Sequence, residues 1–297
     1  MYNFDVAVKG QYRVVVNSGE REHIIPNLIT DFGMNSLHNT NPATSIFRCS
    51  LGSGSTPPSF TDTLLETQIA TSTTKVSTTY SNSGEAPWWQ KVSVAFSFPP
   101  STALSIRELG VFTSGGSLFS RALVVDQFGN PTTITVLPTE ELVVYYELFK
   151  LIPSMDVVED YTYSDGITNS TYQYTARSAN ANTTNTSGYW YPTTPLASFT
   201  KATAFNTQVL GAVTGRPLGA SFQDGAITWD SYVAGSFTRT GVATFGPSVA
   251  NFAEGIGCVA LGGVNEAWGF QLGFSNSLLK TSNKKLTIPF RVTWGRR

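Results

Sequence analysis

The sequence predicts an all-β protein of two β-sandwich-like domains, residues 1–153 and 154–297, with one or two short helices in the N-terminal domain. Charge is the first observation behind this. Only 13% of residues are charged, against the ~25% usual for globular domains. Ser, Thr, Gly and Pro fill the gap. Thr, Val, Tyr and Phe suit pleated surfaces, while Gly, Pro, Ser and Asn suit turns. The second is period-two alternation: Val92, Val94, Phe96 and Phe98 fall on one face. The third is the run from Glu108 to Leu148, in which strand-like segments are separated by the turn residues Gly115-Gly116 and Gly129-Asn130-Pro131.

Taken in order, residues 2–16 read as a strand pair divided at Gly10. Residues 27–38 are the best helix candidate, capped by Thr30 or Asp31, with Gly33 weakening it. A strand over 46–51 leads into a loop from Gly52 to Pro58. Thr63 and Glu66 have capping-box spacing, so 62–69 is expected to form a second short helix. Strands follow at 76–80 and 89–98, then through the run from Glu108. Its last strand, Leu142 to Leu148, is apolar on both faces and needs cover on both.

Met155 to Asp165 is acidic and reads as a solvated linker. From Ser178 to Thr200 no residue is charged, so this stretch reads as a long loop or arm. Beyond it, strands are expected at 218–222, 226–232, 234–239, 242–245, 257–261, 267–274 and 285–294.

Net charge is −1. The basic clusters Lys284-Lys285 and Arg296-Arg297 read as solvated turns or ends, so nucleic acid is not an expected partner. No apolar run approaches the ~18 residues of a membrane span, and the alternating start reads as a strand instead of a signal peptide. Cys49 and Cys258 are expected to be buried free thiols. His23 and His38 adjoin no nucleophile motif, and the close ligand pairing of a zinc site is missing. No catalytic residue, metal or cofactor is therefore assigned. Glu108, Glu140 and Glu141 lie near strand ends and are expected to serve structural roles and not as a glycosidase pair. The candidate recognition residues are Tyr172, Tyr174, Tyr189, Trp190 and Tyr191. Core capping, a protein interface and a glycan contact all remain open for them.

Several segments of the first half carry a resemblance. They are Asn27-Leu-Ile-Thr with Gly33 and Leu37, then Leu51-Gly-Ser-Gly-Ser-Thr-Pro-Pro with Thr61-Asp-Thr-Leu-Leu, then Glu108-Leu-Gly-Val-Phe with Leu118-Phe-Ser-Arg-Ala-Leu and Thr133-Ile-Thr-Val. Their order and spacing across residues 27–148 resemble virion structural proteins of tailed bacteriophages, of the neck, tail and fibre-attachment type. The ending from Leu286 to Arg296 resembles the closing strand of related tail proteins. The resemblance implies a non-enzymatic virion subunit in several copies, with copies of itself and other virion proteins as partners. The alternative is a receptor- or glycan-binding fibre or head-decoration module that contacts a host surface glycan.

Overall fold

A computed structural model of the 297-residue chain describes residues 1–153, 155–164, 169–179, 197, 199–219, 221–262 and 269–297. It is 55% strand and 5% helical, as an all-β sequence requires. Two compact units emerge, each assembled from separated stretches. The amino unit takes Val8–Ser81, Lys91–Lys150 and Arg296–Arg297. The carboxyl unit takes Met1–Ala7, Asn82–Gln90 and Leu151–Gly295.

β1 (Tyr2–Val16) is one unbroken strand where a pair was expected, because its buried even-numbered positions run through Gly10 without a change of register. Within the amino unit, β2 (Arg21–Pro26) returns antiparallel to β1. The helix expected over 27–38 shrinks to α1 (Asp31–Ser36), capped by the Thr30 hydroxyl accepting from Gly33 N at 3.1 Å. Leu28–Ile29 is drawn instead into a short strand, β3, paired with residues 120–121. An unexpected turn of helix, α2 (Pro42–Ser45), follows the Asn41 cap and places Pro at its first position.

β4 (Ile46–Gly52) pairs with β5 (Gln68–Ser72), and the helix expected at 62–69 is not formed. The physical reason lies in Glu66. Its carboxylate accepts from Ser55 N and Thr56 N, both at 2.7 Å, across the loop and does not close a capping box. The unit continues with β6 (Lys75–Asn82), β7 (Trp89–Phe98), β8 (Leu104–Ile106), β9 (Glu108–Thr113), β10 (Leu118–Leu123), β11 (Ile134–Val136) and β12 (Leu142–Leu151). Gly116 and Gly129 have φ of 83° and 85°, the conformation their turn chemistry anticipates.

In this unit β6, β7, β12 and β1 lie side by side in that order, and β3, β10, β9, β4 and β5 form a second sheet. The Tyr12 hydroxyl on β1 donates to Ser120 O on β10 at 3.0 Å, joining the two sheets through the core. On β12, Leu142, Val144, Tyr146 and Leu148 are buried. Its other face is covered by charge: Glu147 accepts from Gln11 Nε2 at 2.7 Å and Lys91 Nζ at 2.9 Å. The Arg13 guanidinium lies 3.6 Å from the Tyr145 ring centre.

In the carboxyl unit the acidic stretch read as a linker is a strand, β13 (Val157–Ser164), paired along its length with β14 (Asn169–Ala179). The remaining strands are β15 (Lys201–Phe205), β16 (Phe222–Trp229), β17 (Thr238–Phe245), β18 (Ile256–Leu261), β19 (Gly269–Leu278) and β20 (Leu286–Arg296). Among the described residues, the strand expected at 218–222 is formed only at Phe222, the first residue of β16, and Leu218, outside any strand, is 86% exposed. Residues 234–237 are turn and coil. Sheet order is β13-β14-β19-β18-β15-β16-β17-β20, followed by the first residues of β1. This sheet curls, so that Phe4 of β1 stacks on Phe270 of β19 at 3.8 Å. Phe199, Phe245, Phe290 and Trp294 complete a buried aromatic core.

Candidate functional site

Residues from 51–58, 61–67, 108–112 and 118–123 meet at one buried ionic cluster in the amino unit. Glu108, at the start of β9, is fully buried. Its carboxylate accepts from Gly54 N at 3.1 Å, Glu66 N at 3.2 Å and Thr67 N at 2.8 Å. It also meets the Arg121 guanidinium of β10 at 2.8 Å. Arg121 in turn donates to Asp62 Oδ2 at 2.7 Å and Thr56 O at 3.1 Å. Burial pulls the Arg121 pKa down, but Asp62 and Glu108 outweigh it and hold the guanidinium above its ordinary value.

The loop from 52 to 67 is therefore tied down by residues distant in sequence. Glycine is required at 54, where a Cβ would lie 2.4 Å from the Glu108 carboxylate. The Asn27-Leu-Ile-Thr segment joins the same region: Asn27 donates to the Ser120 hydroxyl, and Thr30 Oγ1 donates to Leu118 O at 2.7 Å.

Near this loop, the Arg296 guanidinium lies 4.2 Å from the Phe60 ring centre and pairs with Asp31. This expected solvated end is thus engaged. Phe60 and Leu64 remain half or more exposed.

Each acid singled out in the sequence holds neighbouring structure. Glu140 takes Arg21 Nη2 on both oxygens at 2.7 Å and Leu137 N at 2.7 Å. Glu141 accepts from the Ser18 hydroxyl at 3.0 Å. Both cysteines are buried free thiols, and burial pushes the Cys258 pKa up to about 12. His38 Nδ1 sits 2.6 Å from Asn35 O at the end of α1. Among the described residues, no three His, Cys, Asp or Glu side chains come together as a metal site, and no helix is long and apolar enough to cross a membrane.

The structure brings Tyr172 and Tyr174 together but assigns them different surroundings. Tyr174 is buried, packs edge-on against Tyr2 with ring centres 4.3 Å apart, and donates its hydroxyl to Glu159. Burial, then the Glu159 hydrogen bond, raise its pKa. It caps core. Tyr172 is half-buried and lines a cleft of about 140 Å³ together with Tyr2, Tyr161, Lys284 and Lys285. Tyr189, Trp190 and Tyr191 lie outside the described residues. Sequence reasoning missed Tyr2, Tyr161 and the lysine pair as cleft residues. The available signal was the aromatic spacing Tyr161-x-Tyr163 inside the supposed linker.

No protein-family model, no curated protein and no solved structure matches this chain.

Proposed function

We propose that this chain is a non-enzymatic structural subunit of a tailed-bacteriophage virion, in the tail, collar or fibre-attachment apparatus, and that it acts through oligomeric packing. One observation carries the reading: four of the dispersed segments that resemble such proteins, 51–58, 61–65, 108–112 and 118–123, are held in one cluster through Gly54, Asp62, Glu108 and Arg121. Each of these four supplies a group that another of them holds. The two-sandwich layout belongs to the same reading, supported in the amino unit by the Tyr12 bond between sheets. Exposed Phe60, Leu64, Ile69 and Val76 offer apolar surface to copies of the chain or to other virion proteins.

The test is gold-labelled antibody against the chain, applied to purified phage particles, alongside native mass spectrometry of the free protein. Label at a fixed position on the particle and a multimeric mass support the subunit. Particles that never take up label sink it.

The second reading is a receptor- or glycan-binding module, favoured by the cleft beside Tyr172. Particles carrying Tyr172→Ala adsorb to host cells normally under the first reading and fail to adsorb under the second.

A further inference from the structure

The cleft in the carboxyl unit has walls of different chemistry. Tyr161 and Tyr172 are directly opposite in the antiparallel β13–β14 register and share one face of that hairpin. Tyr2 lies against Tyr161, with ring centres 5.4 Å apart and planes 31° from parallel. The facing wall comes from the turn before β20 and from Leu286 and Pro289 within it. The volume of about 140 Å³ exceeds the ~15 Å³ needed for one water, leaving room for a small ring.

The cations lining this cleft are not equivalent. Lys280 is committed: it donates to Pro247 O at 3.0 Å and Asn251 Oδ1 at 2.8 Å. Lys284 and Lys285 are exposed, and among the described residues neither ammonium has a hydrogen bond or ion pair. No carboxylate lines the cleft among the described residues. The acid two residues before Tyr161 on the same face of β13, Glu159, already accepts the Tyr174 hydroxyl. Aromatic faces for an apolar ring surface, tyrosine hydroxyls for polar substituents and two uncommitted cations at one end together favour a ring that carries a negative charge.

We infer that this cleft binds a carboxylate-bearing sugar residue of an acidic saccharide, with the ring against Tyr172 and the carboxylate at Lys284 and Lys285. The inference rests on the glycan-binding reading and not on the structural-subunit reading. A nucleic-acid strand fits less well, because the cations lining the cleft come from one short stretch, Lys280, Lys284 and Lys285, and a phosphate backbone tracks a continuous positive groove.

The test is calorimetric titration of the full chain at low salt with a short oligogalacturonate and with its methyl ester, which keeps the rings and removes the charge. The oligogalacturonate is expected to bind the wild-type chain at least about tenfold more tightly than the ester, since charge-assisted hydrogen bonds are lost with the carboxylates. Lys284→Ala/Lys285→Ala is expected to erase that preference, and Tyr172→Ala to weaken both ligands. All three side chains are at least partly exposed, and unchanged melting temperatures would show that the fold is intact. Equal binding of acid and ester that ignores the lysine change overturns the inference while leaving a glycan-binding module standing. Failure of every saccharide to bind overturns both. Tighter binding of a mononucleotide than of the oligogalacturonate overturns the acidic-sugar assignment in favour of a phosphate ligand.

Discussion

Glu108 and Arg121, on adjacent strands β9 and β10, form an ion pair at 2.8 Å with both side chains buried. Removing one partner strands the other charge away from water, which costs about 3–5 kcal/mol, whereas replacing both by apolar groups is often far milder. Glu108→Gln and Arg121→Met are each expected to destabilise the chain by that order. The double variant should lose much less than their sum in a urea-unfolding double-mutant cycle. Because Glu108 Oε2 also accepts from Glu66 N, the amide NH2 of Glu108→Gln would face donors there, and the variant should expose the loop from 52 to 67 to limited proteolysis. Additive losses with no new cleavage would count against the cluster as the organiser of this loop.

Gly33 lies inside α1, where alanine is ordinarily better by about 1 kcal/mol. Here a Cβ would sit 2.2 Å from the Phe119 carbonyl oxygen, a backbone atom fixed in β10. Overpacking of this kind costs about 1–3 kcal/mol, so Gly33→Ala is expected to lower the melting temperature despite its helix propensity. A raised melting temperature would show that α1 can shift away from β10.

Strands whose pattern is local were legible in the sequence. β4, β7, β9, β10, β12 and β20 alternate or run apolar between turn residues, and they formed close to their expected limits. Misreadings arose where a side chain's partner is distant in sequence. Thr63 and Glu66 have the spacing of a capping box, but the donors to Glu66 lie across the loop at Ser55 and Thr56. The acidic residues of β13 do face solvent, as their charge implies, but the stretch pairs along its length with β14 and is a strand, not a linker. The candidate site divided the same way. Tyr172 and Tyr174 stood out as local aromatics, but Tyr2 and the lysine pair reach the cleft from opposite ends of the chain. No local pattern encodes that meeting.

Tyr12 tests the joining of the two sheets of the amino unit. Its hydroxyl donates to Ser120 O at 3.0 Å, and its ring lies 5.2 Å from that of Tyr146. Tyr12→Phe keeps the ring and removes the donor, so the expected loss is about 1 kcal/mol, the usual net value of one buried hydrogen bond. Tyr12→Ala also empties a ring-sized volume and should cost about 3–5 kcal/mol. Similar losses for the two variants would place the contribution in the hydroxyl and not in packing.

Lys150 gives the stability a pH dependence. It lies on the buried face of β12 in line with Tyr146 and Leu148, and burial pulls its pKa from 10.5 down to about 7. Between those values the unfolded chain binds a proton that the folded chain does not, so this residue makes stability rise with pH across that window. Below about pH 7 both states are charged and the burial penalty is felt in full. Lys150→Met cannot charge. Its stability relative to wild type should therefore be most favourable near pH 6 and fall by a few kcal/mol toward about pH 10, at about 1.4 kcal/mol for each tenfold difference in proton affinity. Urea unfolding of both proteins across that range measures the difference. A constant gap would mean that Lys150 keeps its ordinary proton affinity in the folded chain, through a contact that offsets its burial.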